Sequence, residues 1–288
     1  MRSLPNFLII GAQKSGTTSL YHYFKEHPQI FMSPVKEPNF FVGDAWQQAD
    51  GPEHAAIEGY AALFNGVADQ VAIGEASPSY LPSRGAPERI AARLHNPKLI
   101  AVLRNPVERA YSHWLHNIKN GRETLDFRRA LDAEQERLAA DPNSRFGYVY
   151  SGHYHRHLTR YLQVFARDQL RVHLFDDLVA DPGAVVKDLF GFLGVDDAFQ
   201  PKLERHNVSG LPRGRMGQLY DRLRKNPGAV RGVKRVVPGK VRDLLRERFL
   251  SRPGLPGDVR QELIAIYRDE IYQLDDLLQR DLSSWLRA

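Results

Sequence analysis

The chain has 288 residues, no cysteine and a formal net charge of +6. That length suits one large α/β domain or two small ones, and the missing cysteine excludes disulfides, iron–sulfur clusters and cysteine nucleophiles. With 42% hydrophobic and 26% charged residues, the composition is that of a globular chain with ample material for a core.

An apolar run at residues 7–10 reads as the first core strand. It is too short for a signal segment or a membrane span, and with the absence of cysteine it gives a cytoplasmic expectation. The run leads into Gly11-Ala-Gln-Lys-Ser-Gly-Thr-Thr18, and a helix is expected over 17–26. A nucleotide triphosphatase loop has two glycines at this spacing and Lys directly after the second. Here Thr17 stands in that place, and the cation is Lys14, inside the loop. Strand, glycine turn and helix N-terminus still build an anion cradle, because unsatisfied N–H groups and the helix dipole face the ligand. The plain alternative, a turn that binds nothing, leaves the coincidence of Gly spacing, Lys and paired Thr unexplained.

Residues 28–56, rich in Pro and Gly, read as a long loop, and loops of that length in compact domains are usually functional or disordered. Strands are expected at 71–73, 99–103 and 170–175, alternating with helices at 87–94, 107–119, 125–139, 154–165 and 184–192. Asp126 and Glu134 fall on the most charged of these helices, which reads as solvent-facing. Residues 140–152 and 205–215 read as loops. Beyond 215 the pattern is helical, broken at Pro227-Gly228, Pro238-Gly239 and 253–257, and closes with a long amphipathic helix and a short tail over 258–286. No further strand is expected after residue 175. Between residues 213 and 252, thirteen Lys and Arg oppose only Asp221, Asp243 and Glu247, a local charge of about +10. Such a stretch suits an anionic nucleotide, an acidic acceptor or a peripheral contact with a membrane, and equally the solvated faces of short helices.

The strand at 99–103 runs into Arg104-Asn-Pro-Val-Glu-Arg-Ala-Tyr-Ser112. Arg104 stands at a C-terminal strand edge, where open α/β sheets bind ligands. Ser112 follows about two turns into the next helix. An Arg and a hydroxyl suit a phosphate monoester, by charge-assisted bonds and a neutral donor respectively. Together with the glycine loop they give a second phosphate site.

Lys14-Ser-Gly-Thr-Thr18 with Leu103-Arg-Asn-Pro-Val-Glu-Arg-Ala-Tyr-Ser112 resembles the paired signatures of sulfotransferases that use 3′-phosphoadenosine 5′-phosphosulfate. Lys36-Glu-Pro-Asn-Phe-Phe41, Gly74-Glu-Ala-Ser-Pro-Ser-Tyr80, 175–182 and Phe192-Leu-Gly194 match as well, so the resemblance runs over residues 5–215 and more weakly to the end. It is nearest to the carbohydrate branch, which includes the heparan sulfate N- and O-sulfotransferases and bacterial relatives. The resemblance implies one α/β domain over 1–288, a P-loop-like sulfotransferase fold with a central parallel sheet flanked by helices, core 5–215 and a helical extension 216–288. It implies that Lys14, Ser15, Gly16, Thr17 and Thr18 hold the 5′-phosphosulfate, that Arg104 and Ser112 hold the 3′-phosphate, and that Arg213-Gly214-Arg215 closes over the nucleotide. Glu37 matches the branch's catalytic base, and Phe40 and Phe41 beside it are expected to desolvate it. The acceptor implied is a hydroxyl or amine, most simply on a carbohydrate or glycoconjugate; a small molecule or lipid is the alternative within the family.

Sulfuryl transfer, like phosphoryl transfer, asks the protein chiefly to position groups and neutralise charge. Lys14 suits the departing phosphate, and no metal is demanded. The cytosolic small-molecule branch uses a His near the segment 75–80, which here has none; His95, the nearest, reads as a cap or surface residue. Ala76 stands where the heparan branch often carries Lys, an argument against a highly sulfated acceptor, and Glu75 reads as an acceptor contact or a structural pair. His153, His155 and His157 would point different ways on a helix, so they make no metal site. Trp114, Tyr161 and Phe165 read as core. The rival readings are a nucleotide kinase or triphosphatase and a non-catalytic module binding nucleic acid or membrane. No base-reading motif supports nucleic acid, and the oligomeric state is left open.

Overall fold

The computed structural model describes residues 4–42, 53–203, 211–212, 250–251 and 254–287. Arg213, Gly214, Arg215 and nearly all of the basic stretch 213–252 lie outside the described residues. The centre is a sheet of five parallel strands: β1 Phe7–Gly11, β2 Ile30–Met32, β3 Ala72–Ala76, β4 Lys98–Leu103 and β5 Leu170–Leu174. Their order is β2-β3-β1-β4-β5. The helices are α1 Thr17–Glu26, α2 Glu53–Ala62, α3 Ala86–Arg93, α4 Pro106–Lys119, α5 Phe127–Asp132, α6 Glu134–Ala140, α7 Tyr154–Leu162, α8 Phe175–Ala180, α9 Pro182–Leu193 and α10 Gly257–Leu278.

The central strands are continuous apolar runs because helices cover both faces of the sheet. Their side chains alternate between two cores. Phe7, Ile9, Ile100 and Val102 pack with Leu20 and Phe24 of α1 and Leu189 and Phe190 of α9. Leu8, Ile10, Leu99, Ala101 and Leu103 pack with Val107, Leu158, Tyr161 and the α10 residues Leu263, Tyr267 and Ile271. Each such buried side chain is worth about 1.5–3 kcal/mol relative to exposure. Close packing also explains Gly74: a Cβ there would sit 2.2 Å from the Phe7 ring.

Helix starts follow from local chemistry. Asn105 caps α4, its Oδ1 accepting from Val107 N at 3.0 Å and Glu108 N at 3.4 Å, with Pro106 at the first position. Asp181 caps α9 through Ala184 N at 2.9 Å, and Gly194 ends it at φ 78°.

Four sequence expectations need correction. The stretch 28–56 contains β2 and the first turn of α2. Three residues carry too little periodicity to announce a strand, but Ile30 and Met32 are buried against β3. The helix expected over 125–139 breaks at Ala133 into α5 and α6, and it is not wholly solvent-facing. Asp126 is the α5 cap, whereas Glu134 is buried, its carboxylate accepting from Val149 N and Tyr150 N at 2.7 Å each. Those two orphan amides of the turn at 149–150 draw it inward. Finally, two short strands, β6 Leu211–Pro212 and β7 Leu250–Ser251, pair antiparallel late in the chain. Two-residue pairs so far apart in sequence have no local signature. Tyr161 and Phe165 are core as expected; Trp114 is half-buried, its indole N–H donating to Leu125 O at 3.0 Å. Among the described residues no helix is long and apolar enough to cross a membrane.

Candidate active site

In a parallel sheet all strands deliver their chain to one edge. β1 delivers the glycine loop there, β2 delivers Lys36 and Glu37, β3 delivers Glu75 and Ser77, and β4 delivers Arg104. Order reverses around β1, whose neighbours are β3 and β4, so these segments surround the topological switch point.

The loop after β1 turns twice into left-handed backbone, at Lys14 (φ 68°) and Gly16 (φ 90°). Gly16 is the cap position of α1 and has no side chain to offer, so the first-turn N–H groups keep no side-chain acceptor there. A Cβ on Gly16 would approach Leu178 of α8 to 2.8 Å, so backbone and helix leave room for glycine alone. Ser15 is fully buried beside the Tyr154 hydroxyl, Thr17 is buried and Thr18 half-buried. Burial pushes the Lys14 ammonium down to about 8; Lys119, Arg104 and Lys36 push the same way, and Glu37 opposes them. Such a group gains most from an anion.

Arg104 is braced against this loop. Its Nη1 donates to Lys14 O at 3.4 Å, its guanidinium lies 5.1 Å from the centre of the Phe175 ring, and Nη2 is 3.8 Å from Glu108 Oε2. Ser112 lies buried further along α4. Arg213, Gly214 and Arg215 fall outside the described residues.

Glu37 sits in a turn whose N–H donates to Ala76 O at 3.0 Å; both Glu37 and Asn39 are left-handed, at φ 61° and 55°. The expected aromatic cover is absent. Phe41 turns into the core against Tyr60 and Tyr80, and Phe40 stacks on Tyr60 with centroids 4.3 Å apart. Glu37 is left 48% exposed and ion-paired with Lys36.

Desolvation acts instead on Glu75, which is fully buried and pushed up to about 7 although Ser77 Oγ donates to it at 2.8 Å and Tyr60 OH at 3.3 Å. Sequence reasoning also passed over His116 and Lys119. They follow Ser112 at helical spacing, so one stripe of α4 carries all three; that periodicity was the available signal. Burial, then the cations Lys14, Arg122 and Lys119, push His116 down to about 4, so it is neutral at pH 7. Its Nε2 is 3.0 Å from Asn120 Nδ2. His95 is exposed beyond the end of α3, before β4 begins, and so lies at the opposite edge of the sheet from Lys14. Among the described residues no group of three or more His, Asp and Glu could hold a metal ion.

The family model described as the sulfotransferase domain matches residues 4–210. The chain belongs to the sulfotransferase family. A solved sulfotransferase from Alicyclobacillus acidocaldarius is similar over 99% of this chain and 100% of its own, at 32% identity and a TM-score of 0.74. The bifunctional heparan sulfate N-deacetylase/N-sulfotransferase 4 of Mus musculus is 28% identical over 297 residues, and type 2 of Homo sapiens is 29% identical over 300. Each of these alignments covers 99% of this sulfotransferase but 31% of the relative, so the chain spans about a third of their length. The P-loop-like sulfotransferase fold follows, and the kinase or triphosphatase reading is set aside.

Proposed function

We propose that this sulfotransferase moves a sulfuryl group from 3′-phosphoadenosine 5′-phosphosulfate to a hydroxyl or amine of a carbohydrate or glycoconjugate, with residues 1–288 acting as one domain. The observation that carries the reading is the meeting of Lys14 and Glu37, from loops after different strands, at the sheet edge where Arg104 braces the Lys14 loop. Lys14, Ser15, Gly16, Thr17 and Thr18 suit the 5′-phosphosulfate. Ser15, buried and hydroxyl-bearing, and the uncapped first turn of α1 are what an anion would complete. Arg104 and Ser112 suit the 3′-phosphate, about two helical turns away along α4.

In the transfer, the bond from sulfur to the phosphate oxygen breaks as the acceptor oxygen or nitrogen bonds to sulfur. The acceptor proton passes to Glu37, and the charge left on the phosphate is met by the Lys14 ammonium. Glu37's exposure and its ion pair with Lys36 suit an acceptor that reaches it from solvent. Lys36, Lys119 and Arg122 supply cations on the side of Lys14 and His116. They take the part of the Lys that Ala76 replaces, so an anionic glycan fits this rim. The heparan sulfate relatives support a glycan acceptor.

The test offers labelled 3′-phosphoadenosine 5′-phosphosulfate with N-deacetylated heparosan, a neutral oligosaccharide and a phenol. Transfer to the anionic glycan with turnover in excess chelator is expected. Transfer confined to the phenol would overturn the glycan reading, and full restoration by added magnesium after chelation would overturn the metal-free one.

A further inference from the structure

The proposed transfer chemistry gives no task to the buried carboxylate nearest the candidate base. Glu75, at the C-terminal end of β3, is fully buried, and the groups around it are hydroxyls: Ser77, Tyr60 and Tyr80. Ser77 has a single hydroxyl proton, which it donates to Glu75 Oε2 at 2.8 Å. That leaves its lone pairs for the other side, where Asn39 N–H donates to Ser77 Oγ at 3.0 Å. Asn39 in turn holds the candidate base: its Nδ2 donates to Glu37 O at 2.8 Å, and Ser79 Oγ donates to its Oδ1. Glu37 N–H closes the connection on Ala76 O at 3.0 Å.

The turn so held is an unusual one. Glu37 and Asn39 both occupy left-handed backbone that non-glycine residues avoid. Such a conformation persists only where its surroundings over-determine it, and it recurs where geometry serves function. Without the carboxylate the Ser77 hydroxyl is free to rotate its proton toward Asn39 N–H, which sets two donors against each other. We propose that Glu75 is a positioning residue that, through Ser77, fixes the Glu37–Asn39 turn and so keeps the Glu37 carboxylate at the Lys14 end of the crevice. This rests on the reading of Glu37 as the base.

The test uses the full chain with Ser77→Ala and Glu37→Gln, singly and together, with thermal melting to check folding. The first readout needs no acceptor: amide exchange of Asn39 should speed up at least tenfold in Ser77→Ala while the amides of β1 are unchanged. The second is sulfate transfer to N-deacetylated heparosan. Ser77→Ala should lower kcat 10- to 100-fold with the donor KM within about twofold of wild type, and it should cost nothing further in the Glu37→Gln background. Glu75→Gln, whose amide can turn a donor toward Ser77, should lie between wild type and Ser77→Ala. Unchanged exchange at Asn39, or the same fractional loss from Ser77→Ala in both backgrounds, would overturn the positioning role. Full transfer by Glu37→Gln would remove the base and this inference with it, while leaving the exchange result as a plain property of the loop.

Discussion

At the scale of single residues, the site is a balance of burial and charge. Lys14 is held among Lys119, Arg104 and Lys36, and its ammonium titrates near 8. Lys14→Ala should lower turnover by about 10²–10³-fold, the effect of removing one preorganised electrostatic stabiliser; steady-state kinetics with labelled donor measures it. Glu37→Gln should keep fold and nucleotide affinity but lose most transfer, since the amide cannot take a proton. His95→Asn, at the far edge of the sheet, should transfer at the normal rate, and the reverse pattern would point to a histidine-based mechanism. Glu75 gives a stability prediction. Its carboxyl is raised from 4.5 to about 7, so between these values the folded chain holds a proton that the unfolded chain has lost. The contribution of Glu75 to stability is therefore full below pH 4.5 and falls as pH rises toward 7, by about 3 kcal/mol on the scale of 1.36 kcal/mol per unit. Glu75→Gln should remove that slope; denaturant melts at pH 5 and pH 8 would show the variant gaining on wild type at the higher pH.

At the scale of elements, α4 carries the most consequence. Its cap, Asn105, follows Arg104 directly, so the geometry of the helix start also sets where the guanidinium emerges. Asn105→Ala should cost about 1 kcal/mol from the lost cap. It also removes the Asn105 Nδ2 bond to Trp285 O at 3.3 Å, so loosening of the C-terminal tail should accompany the loss. Melting curves and proteolysis of the tail measure the two effects. The stripe Ser112, His116, Lys119 puts a hydroxyl, an imidazole and an ammonium on one face of one helix. The glycine loop and α1 were legible because the residue type at the turn answers a local demand: Gly16 takes the left-handed backbone from which the helix starts. The stretch holding β2 was not, because a three-residue edge strand is defined by its partner, β3, and not by its own pattern.

At the scale of the molecule, the two segments proposed to hold the phosphates come from separate strands held side by side by the β1–β4 register. Their separation is fixed by the sheet, so a ligand bearing both phosphates should bind far better than one bearing either. Calorimetry should show adenosine 3′,5′-bisphosphate binding more tightly than AMP by about 1.5–3 kcal/mol, the worth of one charge-assisted pair. Equal affinities would remove Arg104 and Ser112 from the nucleotide site. The C-terminal α10 is part of the same body: Val259, Leu263, Tyr267, Ile271 and Leu274 are buried in the core that backs β1 and β4.

The sequence alone determined the alternation of strands and helices, the glycine loop between β1 and α1, and the place of Arg104 at the end of β4, because each depends on neighbours close in the chain. Backbone conformation, capping and hydrophobic period are local physics, and they can be read locally. The tertiary structure alone decided which carboxylate is buried. Two carboxylates flank the crevice, and the aromatic pair beside Glu37 pointed to the wrong one. Phe40 and Phe41 turn inward, onto Tyr60 and, for Phe41, Tyr80 as well, and the desolvation they help create falls on Glu75. Burial depends on what long-range packing brings overhead, and no spacing in the chain encodes that.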